Sequence, residues 1–70
     1  MTTVMFHGRE YHVKSMADEM APYEIHGPRG ARYRLYRTHY QPDLMFPVNE
    51  RMKVIKGWLT DRDGVLREAS

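Results

Sequence analysis

The sequence predicts a small, mainly β fold: an antiparallel sheet or half-closed barrel of five to seven short strands. Three observations carry that prediction. Gly, Pro, Asn and Asp recur every 8–15 residues, the spacing of turns in a compact all-β chain. Short alternations of apolar and polar residues lie between them, as half-buried strands require. Helical spacing is confined to residues 14–21.

The first hairpin joins residues 4–6 to residues 11–13 through His7-Gly8-Arg9-Glu10, with Gly8 suited to positive φ. This pairing sets Phe6 opposite Tyr11 and Val4 opposite Val13, so all four share one face. Residues 15–21 form the one helical candidate. Ser15 is a cap, Asp18 sits near the position a capping box requires, Met16 and Met20 share a face, and Pro22 ends the segment.

A second hairpin joins residues 23–26 to residues 31–37 around Gly27-Pro28-Arg29-Gly30. Two registers compete. Pairing His26 with Ala31 sets Ile25 against Arg32. A one-residue slip sets Ile25 against Tyr33, Tyr23 against Leu35 and Glu24 against Arg34. The second register is preferred because only it collects the apolar residues on one face.

Residues 38–43 read as a loop. Residues 44–48 form a strand that Pro47 marks as an edge or irregular one. Asn49-Glu50-Arg51 turns the chain into a strand over residues 52–59, with Trp58 as a core anchor. Asp61-Arg62-Asp63-Gly64 is a turn, and residues 65–68 pair back with Leu59 opposite Leu66. The predicted core is Val4, Phe6, Tyr11, Val13, Ile25, Tyr33, Leu35, Leu44, Phe46, Val54, Trp58 and Leu66. Met16 and Met20 cover its edge, and Met45 and Met52 fall off the inner face or near a turn, where methionine makes adaptable contacts.

A chain of 70 residues holds one domain, 1–70. It buries only about 60 % of the surface its unfolded form exposes. It has no cysteine, so disulfides and thiolate zinc sites are excluded. The longest uncharged apolar run, residues 44–48, is far shorter than the roughly 20 residues of a membrane helix. The N-terminal stretch lacks a signal-peptide core, so a cytoplasmic protein is expected.

Charge is unevenly placed. Residues 1–25 sum to −2, residues 26–56 to +5, and residues 57–70 to −1. The positive segment includes Arg-Tyr-Arg-Leu-Tyr-Arg, residues 32–37, in which alternation sends Tyr33 and Leu35 inward and Arg32, Arg34 and Tyr36 outward. Arginine grips phosphate and exposed tyrosine stacks on bases. The candidate binding residues are therefore Arg29, Arg32, Arg34, Tyr36, Arg37 and Tyr40, extended by Lys53 and Lys56.

Catalytic and metal motifs are weak. His7, His12, His26 and His39 show no helical ligand spacing. Taking Gly64 as the sixth position of a calcium loop puts Leu59 and Ser70 where acids are needed. Ser15 and Ser70 sit in no nucleophile elbow, and Gly27-Pro28-Arg29-Gly30 is too short for a phosphate loop. The sequence thus points to a non-catalytic regulatory module with no metal or cofactor, contacting nucleic acid through its basic and aromatic β face. The rival expectation is a protein-protein module or inhibitor that reads an acidic surface, of the kind small phage proteins provide against host transcription or defence assemblies. Homodimers through an exposed edge strand are a third partner class.

Overall fold

A computed structural model describes residues 2–69; Met1 and Ser70, the latter considered above as a nucleophile and a loop ligand, lie outside them. The chain forms seven antiparallel strands in simple meander order. They are β1 (Thr3–Phe6), β2 (Arg9–Ser15), β3 (Tyr23–His26), β4 (Arg32–Arg37), β5 (Leu44–Val48), β6 (Trp58–Arg62) and β7 (Val65–Ala69). The sheet curls until β1 and β7 lie side by side, giving a nearly closed barrel. At that seam the His7 backbone N–H donates to Glu68 Oε2 at 3.2 Å. His7 Nε2 also donates to the Lys56 carbonyl at 2.6 Å.

The β3–β4 register is the preferred one, with Ile25 opposite Tyr33, Glu24 opposite Arg34 and Tyr23 opposite Leu35. The turn between these strands is Pro28–Gly30, a single 3-10 turn. Two other hairpins are tighter than expected. Phe6 faces Arg9 and Val4 faces Tyr11, so the β1–β2 turn is His7-Gly8 alone, with φ of 51° and 74°. Asp61 faces Leu66 and Leu59 faces Glu68, so Asp63-Gly64 alone makes the β6–β7 turn, with φ of 55° and 74°. Turns with both central residues at positive φ match the twist of a hairpin, which favours two-residue loops over the four-residue loops expected. Each correction shifts the pairing by two residues, so each side chain keeps its face.

The helix expected over residues 15–21 does not form. The strand β2 runs through Ser15, and the segment then closes as a loop in which Met16 N–H donates to the Pro22 carbonyl at 2.8 Å. Asp18 Oδ1 accepts from Met20 N–H at 3.0 Å, so this side chain serves a local turn instead of a helix cap. Two helical turns would not repay the nucleation penalty.

The core is Val4, Phe6, Tyr11, Ile25, Leu35, Met45, Leu59 and Leu66, with Val13 and Tyr33 packed partly against it. Inside the barrel, Phe6, Tyr11 and Tyr33 form an aromatic cluster with ring centres 5.8–6.4 Å apart.

Strand β5 has the opposite facing from that expected. Met45 and Pro47 are fully buried, whereas Leu44 and Phe46 are half-exposed. Five consecutive apolar residues carry no facing signal, and pairing with β4 decides it: Pro47 lies opposite buried Leu35, and Phe46 opposite outward Tyr36. The strand is also internal, flanked by β4 and β6. Pro47 is tolerated because its carbonyl side faces the irregular connector, where Ile55 N–H reaches it at 2.9 Å.

The expected strand over residues 52–59 is broken. Only Val54 bridges to Val48, and regular pairing restarts at Trp58 after Gly57, whose φ is +128°. Val54 is 65 % exposed and Trp58 41 % exposed, so neither is the core residue expected.

Gly27 is packed against the ring of Tyr11. A β-carbon there would come within 2.6 Å of Tyr11 Cδ2. Gly27→Ala should therefore lower stability by about 1–3 kcal/mol through overpacking, measured by urea unfolding. Tyr11→Leu should shrink that penalty; an unchanged penalty would point away from this contact.

Candidate functional site

The outer wall of the barrel carries one row of aromatic side chains across three strands. Leu35 points inward, so its neighbour Tyr36 points outward. Tyr36 pairs across to Phe46, and their rings stack 6.0 Å apart at 22°. Phe46 meets Trp58 of β6 edge-on at 6.3 Å.

Beside this row lies a groove of about 240 Å³, lined by Glu24, Arg32, Arg34, Tyr36, Val48, Asn49, Glu50 and Met52. Its charges are mixed. Arg32 lies 3.9 Å from Glu24 and 3.6 Å from Glu50. Glu24 also accepts from His26 Nε2 at 2.6 Å. Arg34 reaches within 3.8 Å of Asp18, while its Nε is buried and has no acceptor among the described residues.

The connector over residues 49–57 forms the next border. Asn49 Oδ1 accepts from Arg51 N–H at 2.9 Å and Lys53 N–H at 3.0 Å, which shapes the turn. Met52 takes φ of 64° there and is 72 % exposed. Arg51, Lys53 and Lys56 are exposed, and among the described residues none of the three is in an ion pair. The unpaired positive charge of the connector, which borders the groove at Met52 and leads into Trp58, thus differs from the arginines of β4, which are already faced by carboxylates.

The structure gathers only part of the expected site. Arg32, Arg34 and Tyr36 line the groove, and Lys53 and Lys56 stand on the connector. Arg29 sits at the turn before β4, with φ of 60°. Tyr40, 76 % exposed, lies on the loop after β4, so these two flank opposite ends of that strand. Arg37 is occupied by the fold. Its Nε donates to the Glu19 carbonyl at 3.0 Å and an Nη to the Pro42 carbonyl at 2.7 Å, and it lies 3.9 Å from Asp61. It clamps two loops over one end of the barrel. Phe46, Trp58, Val48 and Glu50 belong to the face but were absent from the sequence prediction. Trp58 was legible in principle, since a strand that buries Leu59 must turn its neighbour outward.

The end clamped by Arg37 also holds Tyr23, whose hydroxyl donates to Asp61 Oδ2 at 3.0 Å. Burial, and then this bond, push the Tyr23 hydroxyl above its ordinary value of 10.0. Tyr11 is raised by burial and then by neighbouring Tyr33.

Among the described residues, no three His, Asp or Glu side chains converge as a metal site, and no helix is long and apolar enough to cross a membrane. No protein-family model, curated protein or solved structure matches the chain.

Arg37→Ala should destabilise the fold by about 1–3 kcal/mol, because it removes charge-assisted bonds to two loops. Arg29→Ala should change stability by less than about 0.5 kcal/mol. Thermal unfolding of both variants checks the contrast. A raised folded pKa means that the tyrosine contribution is complete below the unfolded value, about 10, and is lost as pH rises through the folded value. Tyr23→Phe should therefore flatten the fall in stability above about pH 10, read from urea midpoints across pH.

Proposed function

We propose that this domain is a non-catalytic module that binds single-stranded nucleic acid on the outer face of β4, β5 and β6, in the cytoplasm. The observation that carries the reading is the row Tyr36–Phe46–Trp58, together with the unpaired, exposed cations of the connector that leads into Trp58. Stacking surfaces next to lysine and arginine are what a flexible polyanion with flat bases requires. Arg51, Lys53 and Lys56 supply phosphate contacts, Trp58 supplies a stacking surface, and Arg32 and Arg34 line the groove beside Tyr36 at the other end of the row. Arg29 and Tyr40 extend the path toward the two ends of β4. Arg37 is left out of the reading because its donors are already used by Glu19 and Pro42.

A second reading is a protein-protein module or inhibitor. It is favoured by the carboxylates that face Arg32 and Arg34 and by the exposure of Met52 and Val54. Neutralised charge around exposed apolar side chains suits a protein surface with tryptophan as its anchor.

Trp58 is the sole tryptophan, so its fluorescence reports the proposed face directly. Titration with a short oligonucleotide should quench it. The affinity should fall with salt at a logarithmic slope of about −0.7 per phosphate contacted. Trp58→Ala should cost about 1–3 kcal/mol of binding with the fold retained by circular dichroism. Lys53→Ala with Lys56→Ala should reduce the salt slope. Absence of quenching and of retention on both DNA and RNA at low salt would discard this reading. Capture of a partner from extract that survives nuclease treatment and is lost in Met52→Asp would favour the second.

A further inference from the structure

We propose that the groove formed by Glu24, Arg34, Tyr36, Val48, Glu50 and Met52 receives one guanine base. The inference rests on the nucleic-acid reading above and names the base it prefers.

The first argument is size. At about 240 Å³ the groove is smaller than the roughly 300 Å³ at which pockets for larger ligands begin. A single base fits such a space. Tyr36, the end of the aromatic row, is one of its walls. A base in the groove is therefore next to bases stacked along the row. Val48 and Met52 offer apolar contact to a flat ring.

The second argument is the pairing of charges. Guanine presents two donors, N1–H and the N2 amine, on one edge, and two acceptors, O6 and N7, on the next. A carboxylate accepts from the first pair and an arginine donates to the second. Both groups line this groove. The Glu50 side chain is 64 % exposed and is held only by a 3.6 Å contact to Arg32. Exposed pairs of that kind are weak, so Glu50 is free to turn to a ligand. Arg34 lines the groove with a side chain 35 % exposed, and its Nη2 has only a 3.8 Å contact to Asp18 among the described residues, so its Nη donors are free to turn to O6 and N7. Glu24 is less available, because its side chain is 15 % exposed and already engaged by His26.

The other bases match less well. Adenine places an amine where guanine has O6, facing the donors of Arg34, and has no ring N–H for Glu50. Thymine, uracil and cytosine each offer a single donor group. Only guanine supplies two donors and two acceptors on adjacent edges.

The test uses the full chain and oligothymidylate nonamers carrying one central guanine, hypoxanthine, adenine or cytosine, followed by fluorescence anisotropy. The guanine oligomer should bind at least about fivefold more tightly than those with adenine or cytosine, the lower limit for one bidentate base contact. Hypoxanthine, which lacks the N2 amine, should fall between. Glu50→Gln should abolish the preference while general affinity holds or rises, because a negative charge has been removed from a phosphate-binding face. Equal affinity for all four oligomers, or a preference that survives Glu50→Gln, overturns the guanine assignment and leaves nucleic-acid binding standing. Failure of every oligomer to bind overturns the nucleic-acid reading itself.

Discussion

The register of β3 against β4 governs what lies on each side of the barrel wall. With Ile25 opposite Tyr33 and Tyr23 opposite Leu35, these four side chains line the interior. The intervening residues Glu24, Arg32, Arg34 and Tyr36 must then stand on the outer wall. Strand β5 inherits its facing from β4, because Pro47 has to lie beside buried Leu35. Phe46 is thereby turned outward against Tyr36, and β6 brings Trp58 to the same row. A one-residue slip would turn β4 over, burying Arg32 and Arg34 beside Ile25 and Tyr23 and exposing Tyr33 and Leu35, a cost no small core could absorb.

The same register distributes charge in a way composition conceals. The middle segment of the chain sums to +5, yet that charge is not one patch. Arg37 is spent on closing an end of the barrel with two carbonyls and Asp61. Arg32 and Arg34 lie among Glu24, Glu50 and Asp18. Such partly exposed pairs are worth about 0–1 kcal/mol each, so they bias the arginines without locking them. The connector contributes the free cations. It is irregular because Gly57, at φ +128°, breaks the strand that would have carried Val54 and Trp58 in one ladder.

This division also separates two kinds of residue that look alike in sequence. Arg34 and Arg37 are one turn of alternation and one residue apart in the same strand. The first lines the outer groove, and the second faces the barrel end with its donors filled. Tyr23 and Tyr36 differ in the same way. Tyr23 is tied inward to Asp61, while Tyr36 is stacked on the outer wall.

Sequence alone determined the β class, the β3–β4 register, the span of β5 and the outward facing of Arg32, Arg34 and Tyr36. Those follow from local pattern: glycines at turns, and an alternation that only one register keeps clean. The two hairpin turns were placed with an error of two residues that left every facing intact, because strands repeat every two. Tertiary structure decided the rest. Residues 44–48 are apolar throughout, so no pattern could say that Met45 and Pro47 go in and Phe46 goes out; only pairing with β4 could. Residues 14–21 carry helix-like spacing, but β2 takes up Lys14 and Ser15, and carbonyls bound to Arg37 and a turn closed by Asp18 hold the remainder as a loop. The aromatic row exists in no local stretch. It is assembled from positions 36, 46 and 58 by cross-strand neighbours, and neighbours across a sheet are set by the whole fold.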